Sequence, residues 1–361
     1  MKTTQILPFI VLLGCQSKDS TNEEEINDET ENAYPDIEFY DFQAATPWYQ
    51  AEGLTYPEES IVVTAFDKDY QYFGSEDRRT ITTEVEFPET GDWAQIGLFF
   101  RLECPDSGKC DHWDRSGTIQ LILDADTDNP TSVELLRHIT PYRIGMSQYV
   151  DLTPLASLLK GKQTLSSFID TWVGPGHAQG EGWNVTTRFV FYPGPPAGAD
   201  EVINIWGTRS IIVGQLEEGE TIADQIEQVS FNIPSDATKV LAHLTTTGHS
   251  FNNTNNCAEF CEMRHDLLIN EATFSTNPWR SDCDENPVSP QYGTWEYSRN
   301  GWCPGAVSVG DLIDITEAVS LGQDNQLNFD ILRKNGAVYN NASPADLLPY
   351  TITSLKLYVY K

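Results

Sequence analysis

Apolar and polar positions alternate with a period of two through most of the chain beyond residue 61. Ile96, Leu98, Phe100 and Leu102 alternate with Gln95, Gly97, Phe99 and Arg101, and Ile81-Thr-Thr-Glu-Val85-Glu-Phe87 and Leu355-Lys-Leu357-Tyr-Val359-Tyr run much the same way. Successive side chains of a strand point to opposite faces, so this period predicts strands with one buried face. Helical signal is sparse: Thr153-Pro154 predicts one short helix with Pro in its first turn, closed by Gly161. The run Pro193-Gly-Pro195-Pro196-Ala-Gly198 can continue neither a helix nor a central strand and divides the body. The expectation is all-β, with domains over 61–196 and 197–361, each an antiparallel sandwich or jelly roll. Pattern alone does not separate those two.

Residues 1–60 follow other rules. Lys2, the apolar run Ile6 to Leu13 and then Gly14-Cys15 form a charged start and a stretch too short to span a bilayer. Leu12-Leu13-Gly14-Cys15 resembles the lipobox of bacterial lipoproteins, in which the cysteine is acylated and becomes the new N-terminus. The expectation is a signal peptide over 1–15, a lipid anchor on Cys15, and export to the cell envelope with membrane contact only through that anchor. Residues 16–33 are polar and acidic and read as a disordered stalk. Residues 34–60 carry Tyr34, Phe39, Tyr40, Phe42, Trp48, Tyr49 and Tyr56 and read as an extension packed on the body. The formal net charge is −32 over 361 residues. Such a surface repels nucleic acid and anionic headgroups, which removes both as partners.

Seven cysteines less Cys15 leave six, and an even set in an exported chain points to disulfides. Neighbours are expected to pair: Cys104 with Cys110, Cys257 with Cys261, Cys283 with Cys303. A thiolate metal site is disfavoured, because no repeated C-x₂-C or H-x₃-H spacing is present. Extended chain would hold Cys257 and Cys261 roughly 13 Å apart, and a disulfide needs Cα atoms about 4.4–6.8 Å apart. A bonded pair therefore forces a turn, and Glu259 rides it.

The motifs are recognisable. Glu103-Cys-Pro, Cys110-Asp-His-Trp113-Asp114-Arg115, Ile139-Thr-Pro-Tyr142 and Asp170-Thr-Trp172 mark the first half. Gly248-His249, Cys257-Ala-Glu259-Phe-Cys261, His265, Arg299 and Gly301-Trp302-Cys303-Pro-Gly305 mark the second. The chain resembles the bacterial peptide:N-glycosidase F family, enzymes that cut N-linked glycans from glycoproteins, from about residue 61 onward. The resemblance implies two eight-stranded jelly rolls side by side, with the site in the cleft between them. It also implies hydrolysis, without metal or other cofactor, of the Asn side-chain amide that carries the innermost GlcNAc. The peptide would keep an Asp and the glycan would leave as a glycosylamine. The family's principal catalytic Asp falls on Asp114 and its second acid on Glu259. Its third acidic position, normally Glu, is Asp170 here. Trp113, Arg115, Trp172 and Arg299 match family site positions, and the implied partners are N-glycosylated proteins or glycopeptides, met by a monomer. A second departure is Thr247, where better-known members carry Trp before the Gly-His pair; sugar contact there is expected to be altered.

Amide hydrolysis without a metal needs an activated water and a protonated leaving nitrogen, which two carboxylates can divide if their environments push their pKa values apart. Asp114 is expected nearest the scissile amide, its pKa raised by burial beside Trp113, with Glu259 orienting the water and Asp170 in support. Plainer readings stand beside these. A Trp in a sandwich more often packs the core, and Trp302 is expected to cover the Cys283–Cys303 bond. Arg115 and Arg299 bind substrate oxygens or balance the acids, and His265 is structural. Copper chemistry is set aside, since the six histidines contain no His-His or His-x-His and only Met146 and Met263 are internal methionines. The alternative function is a non-catalytic binder of glycans or glycoproteins.

Overall fold

The computed structural model describes residues 59–216, 219–250, 257–340, 342–343 and 348–361. The expectations for the signal peptide, Cys15, the acidic stalk and nearly all of the aromatic extension lie outside the described residues.

Eight strands come first: β1 (Ile61–Gln71), β2 (Thr80–Phe87), β3 (Trp93–Glu103), β4 (Ser116–Leu123), β5 (Thr131–Ile139), β6 (Met146–Asp151), β7 (Gly161–Ile169) and β8 (Trp183–Pro193). They form two four-stranded sheets ordered β1-β8-β3-β6 and β2-β7-β4-β5, antiparallel throughout. Strands adjacent in sequence mostly sit in opposite sheets, which is the jelly-roll winding.

The second half repeats it. β9 (Glu201–Ile212) is followed by β10 (Gln215–Leu216), β11 (Val229–Asn232), β12 (Lys239–His249), β13 (Met263–Ile269) and β14 (Ala272–Thr276). Then come β15 (Trp279–Arg280), β16 (Arg299–Asn300), β17 (Asp311–Asp314), β18 (Asp324–Arg333), β19 (Ala342–Ser343) and β20 (Tyr350–Tyr360). The main sheets are β17-β12-β20-β9 and β11-β18-β13-β14, with β10-β19 and β15-β16 as short additions.

The predicted strands form, with two differences. β3 is buried on both faces, because Tyr149 of β6 lies across the second one: its ring is 4.7 Å from that of Phe99, and a Cβ on Gly97 would meet its hydroxyl. The helix at Thr153 is a single 3₁₀ turn, Thr153–Leu155, and Gly161 opens β7 instead of closing a helix. Three consecutive helical residues, Pro154 among them, give too few backbone bonds to continue.

Each roll has its own apolar core, the first around Ile96, Leu98, Phe100, Phe189 and Phe191, the second around Leu244, Leu267, Phe329, Leu355 and Leu357. The first cluster also takes in Leu241, Val307 and Tyr358 from the second roll. Beside this apolar contact lies a buried charge network. Arg137 of β5 donates to Glu134 Oε2 at 2.6 Å and crosses to the carbonyl oxygens of Ile352 (2.6 Å) and Thr245 (3.3 Å). Lys356 Nζ of β20 donates back to the carbonyl of Glu134 at 3.0 Å. Burial opposes ionisation of Glu134, yet Arg137 and Lys356 together hold its carboxyl below the usual range. Burial lowers Lys356 to about 8 despite Glu134 beside it. These bonds lock the rolls in one relative position.

Candidate active site

Three disulfides form, and they are the three expected pairs: Cys104–Cys110, Cys257–Cys261 and Cys283–Cys303, with Cα separations of 4.4, 5.7 and 5.3 Å. The first closes the loop that leaves β3 and delivers residues 111–115 to the edge of the roll. Those residues are then pinned by the wholly buried Asp111. Its carboxylate accepts bonds from the Trp113 amide (3.1 Å), Arg115 Nε (3.0 Å) and the Thr171 hydroxyl (2.7 Å). Backbone bonds from Thr140 to Arg115 and from Arg143 to Asp111 strap the loop to the turn at 140–143. Asp114 has no freedom to swing.

Glu259 is fixed differently. The Cys257–Cys261 loop lies flush on β12, and it can do so because residue 248 is glycine: a Cβ there would stand 1.9 Å from the Ala258 carbonyl oxygen. The amides of Ala258 and Glu259 both donate to the Ser250 carbonyl, and the Ser250 amide returns a 3.3 Å bond to Glu259 Oε2. The Glu259 carbonyl accepts from the Asn300 amide at 2.9 Å, which ties the loop to β16. Gly301, next in line, has φ +83° and packs on the Thr246 carbonyl, a place no side chain fits.

Arg299 joins the two. Its side chain is fully buried, with Nε 3.3 Å from Glu259 Oε1 and Nη2 3.6 Å from Asp114 Oδ2. Nη1 donates to the Tyr297 carbonyl (2.7 Å) and Nη2 to the Thr294 hydroxyl (3.0 Å), while Phe260 and Trp302 flank the guanidinium at 5.1 and 4.8 Å. Tyr142 completes the cluster: its hydroxyl donates to Asp114 Oδ2 at 2.7 Å. One acid comes from the first roll and the other from the second. Each keeps about 15% of its side chain open to solvent.

Burial pushes both carboxylates toward protonation, and the one cation they share offsets this only in part. Burial raises Asp114, against the pull of the Tyr142 hydroxyl and Arg299. Burial and the charge of Asp114 raise Glu259 to about 7, only partly offset by Arg299. The hydroxyl bond favours the ionised form of Asp114, while Glu259 retains its proton up to about pH 7.

The other expected site residues lie around this centre in different ways. Trp113 and Trp172 are half exposed, at 47% and 50%. Arg115 spends its Nε on Asp111, with about a fifth of the side chain open. Arg299 is out of solvent, so it acts through the two acids it holds. Asp170 touches neither Asp114 nor Glu259; it meets Arg79 at 3.5 Å, and Tyr350 feels the charge of both Asp170 and Glu259. Thr247 is wholly buried and bonded to Arg137 (3.4 Å) and His249 (2.9 Å), so its side chain faces the packed interior. Trp302 is buried, donating to the Gly248 carbonyl at 2.7 Å. His265 is buried and bonded to Thr246 at 3.0 Å. Tyr142, Thr294 and Asp111 were not expected at the site. Tyr142 closes a quoted motif, but nothing in its spacing announces a bond to Asp114.

Fold and site define a double jelly-roll protein with an arginine-bridged acid pair contributed by both rolls. Residues 219–345 match the family model described as Peptide-N-glycosidase F, C terminal. The peptide-N(4)-(N-acetyl-beta-D-glucosaminyl)asparagine amidase F of Elizabethkingia miricola is 26% identical over 274 residues, covering 72% of this chain and 73% of that one. The solved structure of PNGase F, a glycosylasparaginase from Flavobacterium meningosepticum, superposes with a TM-score of 0.67 at 22% identity over 84% of this chain and 96% of that one. PNGF-II superposes at 0.64 with 16% identity, over 84% of this chain and 66% of that one. The chain is similar to the peptide-N-glycosidase F family over most of its length, and residues 219–345 match that family's C-terminal domain.

Proposed function

We propose that this protein is an amidohydrolase that cleaves the bond between Asn and the innermost GlcNAc of N-linked glycans, leaving Asp in the peptide and releasing a glycosylamine. The observation that carries the reading is the convergence of Asp114 and Glu259 on Arg299, each acid still partly open to solvent. A pure binder needs no such pair. Buried Arg299 and the Tyr142 hydroxyl keep Asp114 ionised and aimed, ready to take a proton from water as it adds to the amide carbon. Protonated Glu259 supplies a proton to the departing nitrogen, so the C–N bond breaks with a neutral amine leaving. Water provides the new oxygen and the proton count closes. Trp113 and Trp172 offer flat faces for sugar rings at the rim, and Arg115 a cation beside them. The three disulfides fit an oxidising compartment, consistent with export as a lipoprotein.

The test is incubation with a glycopeptide of known N-glycan and mass spectrometry of the peptide. Asp in place of the glycosylated Asn is the expected product; an intact glycopeptide at every pH, from folded protein, favours the binding role instead. Asp114→Asn should lower turnover by about 10²–10⁴-fold, and near-wild-type activity would overturn the assignment.

A further inference from the structure

Arg79 lies outside every motif discussed so far, yet its guanidinium is held at both its edges and its faces. Its guanidinium makes a bidentate pair with Asp77, Nε to Oδ1 at 2.9 Å and Nη2 to Oδ2 at 2.6 Å. Nη1 is 3.5 Å from Asp170 Oδ1. The flat faces are used too: the guanidinium carbon is 4.4 Å from the Trp172 ring and 4.8 Å from that of Phe73, whose own ring meets Trp172 at 5.1 Å. The backbone is stitched to the same segment. The Arg79 carbonyl accepts from the Ile169 amide (3.0 Å) and Gln71 Nε2 (2.6 Å), and the Phe73 amide donates to Val173 (2.9 Å). The turn over 72–79 thus braces the strand end that carries Asp170 and Trp172.

We propose that Arg79 is a positioning residue, holding the Trp172 face and the Asp170 carboxylate as one preformed unit against which a sugar ring of the substrate stacks and hydrogen-bonds. This rests on the function proposed above. A stacked guanidinium restrains the indole without covering it, since Trp172 keeps half of its surface open. The same cation, ion-paired at its edge, fixes the short Asp170 side chain. Arg115, Asp111 and Tyr350 also bear on Asp170. Burial lifts its carboxyl above the usual range, and Arg115 and Arg79 draw it back.

The experiment compares the full chain with Arg79→Met and Arg79→Lys. Readouts are kcat and KM on a glycopeptide across pH, tryptophan-fluorescence titration with that glycopeptide and its unglycosylated peptide, and thermal melting. Arg79→Met should raise KM and the dissociation constant for the glycopeptide about tenfold, with kcat at the optimum changed less than about threefold. The acid limb of its glycopeptide binding should move to higher pH, because Asp170 loses one of its cations. Arg79→Lys should restore the limb but leave KM raised about threefold, since an ammonium has no planar face to stack. Unchanged KM, affinity and acid limb in Arg79→Met overturn the proposal, as does a loss that only follows the unfolded fraction. If the wild type binds the glycopeptide without cleaving it, the hydrolase reading falls while the titration still decides Arg79. If it does neither, both fall.

Discussion

Glu259 illustrates how a single residue ties activity to stability. Its folded-state pKa of about 7 stands above the ordinary 4.5. Between those values the folded chain holds a proton that the unfolded chain has released, so this group's contribution to stability is complete below the ordinary value and is lost as pH rises through about 7. Glu259→Gln removes that dependence. The variant should melt higher than the wild type at pH 8 and no higher at pH 4, by calorimetry, while its turnover collapses. For the same reason wild-type kcat should fall on the alkaline side of about pH 7, where the proton donor is spent. Tyr142→Phe acts on the other acid. Without the hydroxyl, Asp114 retains its proton to higher pH, so the acid limb should shift upward and kcat drop about tenfold, the scale of a hydrogen bond to a charged group. The acids themselves were legible because cysteines frame them. Tyr142 and Arg79 were not: the Tyr142 hydroxyl meets Asp114 from 28 positions away and Thr294 from 152, and Arg79 sits in a turn that no motif marks.

At the level of elements, the three disulfide loops differ in purpose. A five-residue loop such as Cys257–Cys261 restrains the unfolded chain by about 2 kcal/mol in the entropy model, less than the longer Cys283–Cys303 loop. Serine at both 257 and 261 should therefore lower the melting temperature less than serine at both 283 and 303, yet cost more turnover, because Glu259 loses its seat on Gly248. Parallel melting curves and kinetics of the two variants check this. The strands were readable from alternation, and the failures of alternation are informative. Leu355-Lys-Leu357 looks like a strand with Lys356 toward water, but that face meets the other roll and Lys356 is 3% exposed. Glu134 and Arg137 were hidden likewise. A period of two reports which residues share a face; it says nothing about what a polar face will touch once two rolls dock.

On the scale of the whole molecule, the seam and the charge matter most. Glu134→Leu strands Arg137 and Lys356 without their counter-charge, and losing one partner of a buried ionic group costs about 3–5 kcal/mol. A cooperative drop in melting temperature, with both rolls affected, is the expected result. The net charge of −32 acts at longer range. Glycans bearing acidic sugars are repelled from such a surface, and at physiological salt the field is cut within about 8 Å. Their kcat/KM should thus rise with ionic strength, whereas that of neutral glycans stays flat, a comparison made with one peptide carrying either glycan.

The placement of β20 has a consequence in time. Tyr350–Tyr360 is not at the margin of its sheet but between β12 and β9, with Leu355, Leu357 and Val359 wholly buried and Lys356 reaching across the seam. During synthesis, every residue of the proposed site, from Arg79 to Trp302, leaves the ribosome before this strand exists. A nascent or truncated chain ending at residue 349 would contain all of the chemistry and none of the geometry. Insertion of β20 between β12 and β9 therefore couples completion of the sheet to the onset of the proposed activity.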